Sequence, residues 1–286
     1  MLFVRVLPLN LRCLLIGMAL LVAFDGRAND SDGPANPAAE VSKLMAEARA
    51  LHKQYRESAA LARYEQVLNQ HPRYYEALWR AAMLSATIGM RYTDESRRAA
   101  YFTSARQYAD RAYAVNPQGG EANYAVAFTL AQRATLLNAP QRIRLYKEMK
   151  PYAWRAVECS PNLPEAWQML GRWHYRVAHF NVVERAYCRL FLGGTPAGAS
   201  NTRAMEALRK AHELDPRRIQ FCYDLARVYH NQGLTIEAMQ VLELAAALPT
   251  VTSEDLETSR KCTKLLSQVR KSCGMPGDVC APTASK

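Results

Sequence analysis

His174, His179 and Glu184 come nearest to a metal-ligating group in this chain of 286 residues. Successive members are five residues apart, a step that rotates about 140° on a helix, so the three side chains do not converge as i,i+4 ligands do. His174 reads instead as a packed core residue. Glu206, Glu213 and Asp215 have the polar surroundings of a solvated helix face, which makes them poor general acids. The chain has no HExxH, GxSxG, GxxxxGK[ST] or GxGxxG pattern, so zinc proteolysis, serine hydrolysis and nucleotide chemistry have no carrier residues. The residues therefore point to a non-enzymatic protein with no catalytic group, no metal and no cofactor.

Cysteine usage adds one candidate bond. Outside the N-terminal stretch lie Cys159, Cys188, Cys222, Cys262, Cys273 and Cys280. Cys273 and Cys280 bracket GMPGDV, a loop short and flexible enough to close into a disulfide. Cys159 and Cys222 sit in apolar helical surroundings and are expected as buried free thiols. No CxxC pair is present, which argues against a zinc site or a thioredoxin-like centre.

Residues 1–28 have the layout of a signal peptide. Arg5 and Arg12 form a basic start, an apolar run extends from Leu14 to Phe24, and Gly26-Arg27-Ala28 supplies a small-residue cleavage site. Export to a periplasm-like compartment is the expectation, with an uncleaved N-terminal membrane anchor as the alternative. Residues 29–38 form a polar linker rich in Gly and Pro, a folded region is expected over 39–272, and 273–286 is a tail. The formal charge of +11 falls by two to +9 without the leader. That excess favours an acidic partner, yet no nucleic-acid motif accompanies it and no nucleic-acid partner is expected.

Within the folded region a pattern recurs: Ala60, Tyr64, Val67, Pro72; Ala105, Ala109, Ala112, Pro117; Met149, Ala153, Ala156, Pro161; Ala204, Leu208, Ala211, Pro216. The first three members of each set share one helical stripe, and the proline stops the helix. Residues 219–249 supply a compact version, with Leu225, Ala226 and Tyr229 on a first helix, Gly233 at the turn, and Ala238, Leu242 and Ala245 on a second. This spacing resembles the tetratricopeptide repeat, a helical hairpin of about 34 residues that stacks on its neighbours. The expected fold is all-α: a right-handed superhelix of about five helical hairpins and a C-terminal capping helix begun by Ser253. Insertions stretch the second, third and fourth units; the first half of the fourth, AHFNVVERAY, is expected to extend a helix, and its Gly-rich second half to be a loop. Pro151 is expected to kink or restart its helix.

In the proteins this repeat resembles, inward-pointing first-helix positions line a groove. Carried onto this chain they give Met45, Arg49, His52 and Lys53, then Trp79 and Met83, then Tyr124 and Phe128, then Arg172, Tyr175 and Arg176, and finally Tyr223, Arg227, His230 and Asn231. Arginine supplies planar paired donors and aromatics supply area at small entropic cost, so such a groove suits a protein or peptide ligand. An anionic phospholipid or other amphiphile is the alternative. The junction between the fourth and fifth units is the expected centre of specificity.

Residues 167–266 carry a narrower likeness. Leu170-Gly171-Arg172-Trp173, Val177, Glu184-Arg185, Leu190-Phe191, Glu213-Leu214, Pro216, Leu248-Pro249 and the LPxVTxEDL segment make the chain similar to the regulator of microtubule dynamics family. That resemblance implies a divergent tetratricopeptide domain, and a role at microtubules, at membranes or with phospholipid.

Overall fold

The structure, a computed structural model, describes residues 37–272. The expected leader, most of the linker, the tail and the Cys273–Cys280 bond lie outside the described residues. Among the described residues there are twelve helices and no strand: α1 (Pro37–Lys53), α2 (Glu57–Gln70), α3 (Tyr75–Met90), α4 (Glu95–Val115), α5 (Gly120–Ala134), α6 (Ala139–Cys159), α7 (Pro164–Ala178), α8 (Val182–Phe191), α9 (Asn201–Leu214), α10 (Ile219–Asn231), α11 (Thr235–Ala247) and α12 (Ser253–Ser272).

The hairpins are α1/α2, α3/α4, α5/α6, α7/α9 and α10/α11. Each stacks on the next, and α12 follows as the first helix of an unfinished sixth unit. The recurring small residues explain this order. Ala60, Tyr64 and Val67, Ala105, Ala109 and Ala112, and Ala238, Leu242 and Ala245 are fully buried on the inward stripes of α2, α4 and α11. Small side chains there let backbones approach closely, while Tyr64, Trp173, Phe102, Phe180 and Phe221 fill the larger spaces between units.

The insertions become helix length or new structure. α4 and α6 each have 21 residues, against 14 in α2 and 13 in α11. Asp94 starts α4 by accepting from the Arg97 N–H, and Asn138 starts α6 by accepting from the Gln141 N–H, each satisfying a backbone donor that no preceding turn can serve. α6 runs through Pro151 as one helix, so of the two expected outcomes the restart does not occur. The fourth insertion also differs: the first helix stops at Ala178, and Asn181 starts a separate helix, α8. Asn181 and Glu184 bond each other's backbone N–H groups as a capping box, which ends continuity with α7. Gly193, Gly194 and Gly198 then take φ of 70°, 108° and 85°, the left-handed region that glycine enters without strain.

One close approach sets the α7–α9 crossing. A Cβ at Gly171 would lie 2.6 Å from Leu208 Cγ and 3.1 Å from the Ala204 carbonyl oxygen. Gly171→Val is therefore expected to destabilise the fold by about 1–3 kcal/mol through overpacking, measured as a lower urea midpoint; an unchanged midpoint would show that the helices can part freely.

Candidate binding groove

The first helices of successive units share one face, and α12 joins them. Together they bound a groove of about 800 Å³. Its floor is apolar, built from Trp79, Met83, Tyr124 and Phe128 on α3 and α5. Tyr124 and Phe128 rings pack 5.8 Å apart, one helical turn from each other, and burial pushes the Tyr124 phenol up, so it is neutral at physiological pH. The N-terminal turns of α12 supply the opposite wall with Glu254, Asp255, Glu257, Thr258 and Lys261.

Charges around this floor are paired. Arg172 Nε donates to Asp224 Oδ2 at 2.7 Å, and Gln168 Nε2 donates to the same oxygen at 2.6 Å. Asp224 is buried at 1% exposure, and these two donors satisfy it where water cannot. Arg218 reaches Glu165 at 2.8 Å, and Lys261 reaches Glu257 at 2.6 Å. Arg91, one residue past α3, donates to both Glu57 oxygens at 3.0 and 2.6 Å and to Glu254 at 3.2 Å. The Arg91 hydrogen bond holds the Glu57 carboxyl below its usual range despite partial burial. The groove is thus charge-compensated.

Of the groove residues expected from sequence, His52, Trp79, Tyr124 and Arg172 line this space together with Met83 and Phe128. Burial, and then the Arg80 charge, lowers the His52 pKa, favouring its neutral form. Arg49 is held on Glu76, Lys53 is exposed, and Met45 belongs to the core at 1% exposure. Tyr175, Arg227 and Asn231 form a separate cluster between α7 and α10: the Arg227 guanidinium lies 4.7 Å from the Tyr175 ring centre, and Asn231 donates to the Tyr175 hydroxyl. Tyr223 adjoins it 5.9 Å from the guanidinium, and His230 is half-buried nearby on α10. Arg176 turns away to Glu184 at 2.5 Å. The fourth and fifth units do face each other, but the groove reaches farther toward α3 and α12.

His174 is buried beside Trp154, with ring centres 4.7 Å apart, and its Nδ1 has no hydrogen-bond partner. Among the described residues no group of three or more His, Cys, Asp or Glu side chains is placed to hold a metal ion. Cys222 and Cys262 are buried thiols whose pKa values burial pushes up to about 11 and about 12. Cys159, expected to be buried, is exposed at the end of α6.

Sequence reasoning missed Asp224 and the whole α12 wall. An acid inside the apolar run IQFCYDLA was a usable signal for the first. The second depends on how tightly the superhelix winds, which no local pattern states.

A stack of helical hairpins enclosing a side-chain-lined groove defines a tetratricopeptide-type repeat protein, and solved structures agree on the fold. A thermophilic tetratricopeptide-repeat protein of Thermus thermophilus superposes with a TM-score of 0.54 at 15% identity, covering 82% of this chain and 100% of its own. The pilF protein of Pseudomonas aeruginosa gives 0.51 at 12%, covering 83% and 90%.

The chain belongs to the regulator of microtubule dynamics family: the family described as Regulator of microtubule dynamics protein 1-3 matches residues 44–270. Regulator of microtubule dynamics protein 3 of Bos taurus is 28% identical over 76% of this chain and 46% of its own length. Protein 2 of Homo sapiens is 23% identical over 68% and 48%. The chain thus spans about half the length of these curated relatives. The expectation of export to a periplasm-like compartment is overturned by these relatives, which are animal proteins named for the regulation of microtubule dynamics. The phospholipid-carrier alternative finds no support among the matches.

Proposed function

We propose that this chain is a non-enzymatic scaffold that holds a protein or peptide partner in the groove between α3, α5, α7 and α12. The observation that carries the reading is the apolar floor of Trp79, Met83, Tyr124 and Phe128 inside a rim of already paired charges. The half-buried Trp79, Met83 and Phe128 side chains in a concavity leave a partner area to bury, while the paired rim gives register without demanding a net charge from the ligand. His52 and Arg172 frame the two sides of this floor, and the Tyr175, Arg227 and Asn231 cluster offers a polar extension. Membership of the family favours a partner from the microtubule system.

Selection of displayed peptides against the full chain tests the groove, with affinities then measured by calorimetry. Trp79→Ala with Phe128→Ala is expected to weaken selected peptides at least about tenfold, the scale of losing one interface hot spot. Co-pelleting of the same pair of proteins with stabilised microtubules tests the partner class. Equal peptide affinity in the wild type and the double variant would overturn the groove as the binding site.

A further inference from the structure

The groove leaves one conspicuous surface unused. None of the residues lining it comes from α8, yet α8 carries the most exposed large apolar side chains among the described residues: Val182 at 81%, Val183 at 76%, Leu190 at 74% and Phe191 at 67%. Val183, Leu190 and Phe191 fall on one side of the helix at seven- and eight-residue steps, with the half-buried Tyr187 between them. Tyr187 and Phe191 rings lie 5.0 Å apart. Four such side chains on a ten-residue helix are more than the scattered apolar exposure of an ordinary surface.

The rear of α8 is firmly built. Cys188 is fully buried and Glu184 is 4% exposed. Glu184 is held by Arg176 at 2.5 Å and lies 3.7 Å from Arg142, besides closing the capping box. The apolar side is therefore fixed in place, and its exposure is not a fraying end. In a stack of helices each element ordinarily packs on neighbours to both sides; α8 packs chiefly on α6, so what it lacks is a helical neighbour.

Charge specifies that neighbour. Glu184, the single acidic residue of α8, points inward and is neutralised, while Arg189 is exposed beside Leu190; Arg185 lies around the far side, its Nε donating to the Phe180 carbonyl at 2.7 Å. Lys147 adds a second cation at the end of the helix, its ammonium donating to the Leu192 carbonyl at 2.6 Å. A second copy of α8 would set these cations against their own kind, so self-pairing is disfavoured.

We propose that α8 is a docking site for an acidic amphipathic helix of a partner protein. Apolar residues at i, i+4 and i+7 of that helix would meet Val183, Leu190 and Phe191, and flanking carboxylates would meet Arg189 and Lys147. The site is independent of the groove, so the chain could hold two segments at once.

The test uses the full chain and a synthetic helical peptide with leucines at i, i+4 and i+7 flanked by glutamates, followed by fluorescence anisotropy. A second peptide replaces every glutamate with lysine. The acidic peptide is expected to bind at least about tenfold more tightly than the basic one, because the exchange turns attraction to Arg189 and Lys147 into repulsion. Leu190→Glu with Phe191→Glu should abolish binding with the thermal midpoint unchanged, since both side chains are exposed, whereas Trp79→Ala with Phe128→Ala should leave it intact. Equal binding of the two peptides, or acidic-peptide binding that survives in the Leu190→Glu/Phe191→Glu protein, would overturn the proposal. So would a Leu190- and Phe191-dependent dimer, or Leu190- and Phe191-dependent capture by phosphatidylserine vesicles without peptide binding.

Discussion

Trp173→Ala is expected to lower stability by about 3–5 kcal/mol, the range for removing a fully buried large aromatic. Trp173 has no exposed surface, packs edge-on to Trp154 with ring centres 4.9 Å apart, and donates from Nε1 to the Tyr146 carbonyl oxygen at 2.7 Å. The substitution thus removes area, leaves a cavity and orphans an acceptor. Because it ties α7 to α6, the loss falls on the interface between the third and fourth units. In a repeat stack, stability is the sum of unit and interface contributions, so urea unfolding should separate into two steps as well as shift. Trp173→Phe, which keeps most of the area, should lose about 1–2 kcal/mol, mainly from the missing donor. A shift under about 1 kcal/mol for Trp173→Ala would show that the interface collapses around the gap.

The second large effect is acid sensitivity from His174. Its pKa is lowered to about 4, first by burial and then by the charges of Arg203 and Lys150. The unfolded chain binds that proton near pH 6.5, so the folded state binds fewer protons between the two values. Stability from keeping His174 neutral is therefore complete above about pH 6.5 and is lost as pH falls toward 4, by at most about 3 kcal/mol. His174→Phe removes the titrating group. The drop in urea midpoint between pH 7 and pH 4.5 should then be smaller in the variant than in the wild type, and coincident pH profiles would refute the assignment.

The elements encoded by local spacing were legible. Ala153 and Ala156, or Ala204 and Ala211, could be placed on inward stripes because a helix repeats every few residues and a proline ends it. The twelfth helix was visible from the leucines after Ser253, although the residue that caps it is Thr252, whose hydroxyl accepts from the Asp255 N–H at 3.0 Å, and not Ser253. Less visible was the separation of α8 from α7, although Asn181 and Glu184 carry the N-x-x-E signature of a helix start; apolar Val182 and Val183 suggested continuity instead. The groove was half legible. Trp79, Tyr124 and Arg172 followed from repeat position, but the pairing of Arg172 with Asp224 and the approach of α12 arise from superhelical winding, a sum of small rotations between units that sequence patterns do not record.

The Arg91 bridge gives that winding a kinetic consequence. A linear array of repeats closes only short loops as it folds, and its ends can open independently. Arg91 and Glu254 are separated by 163 residues, so the final contact must await nearly the whole chain. The bond is too exposed to add much stability, about 1 kcal/mol or less, yet it links the opening of the C-terminal cap to the second unit. Fraying of α12 breaks this bond while Arg91 keeps both bonds to Glu57, so the coupling is bounded by that energy and amide exchange just past α3 should rise by no more than about fivefold when α12 opens.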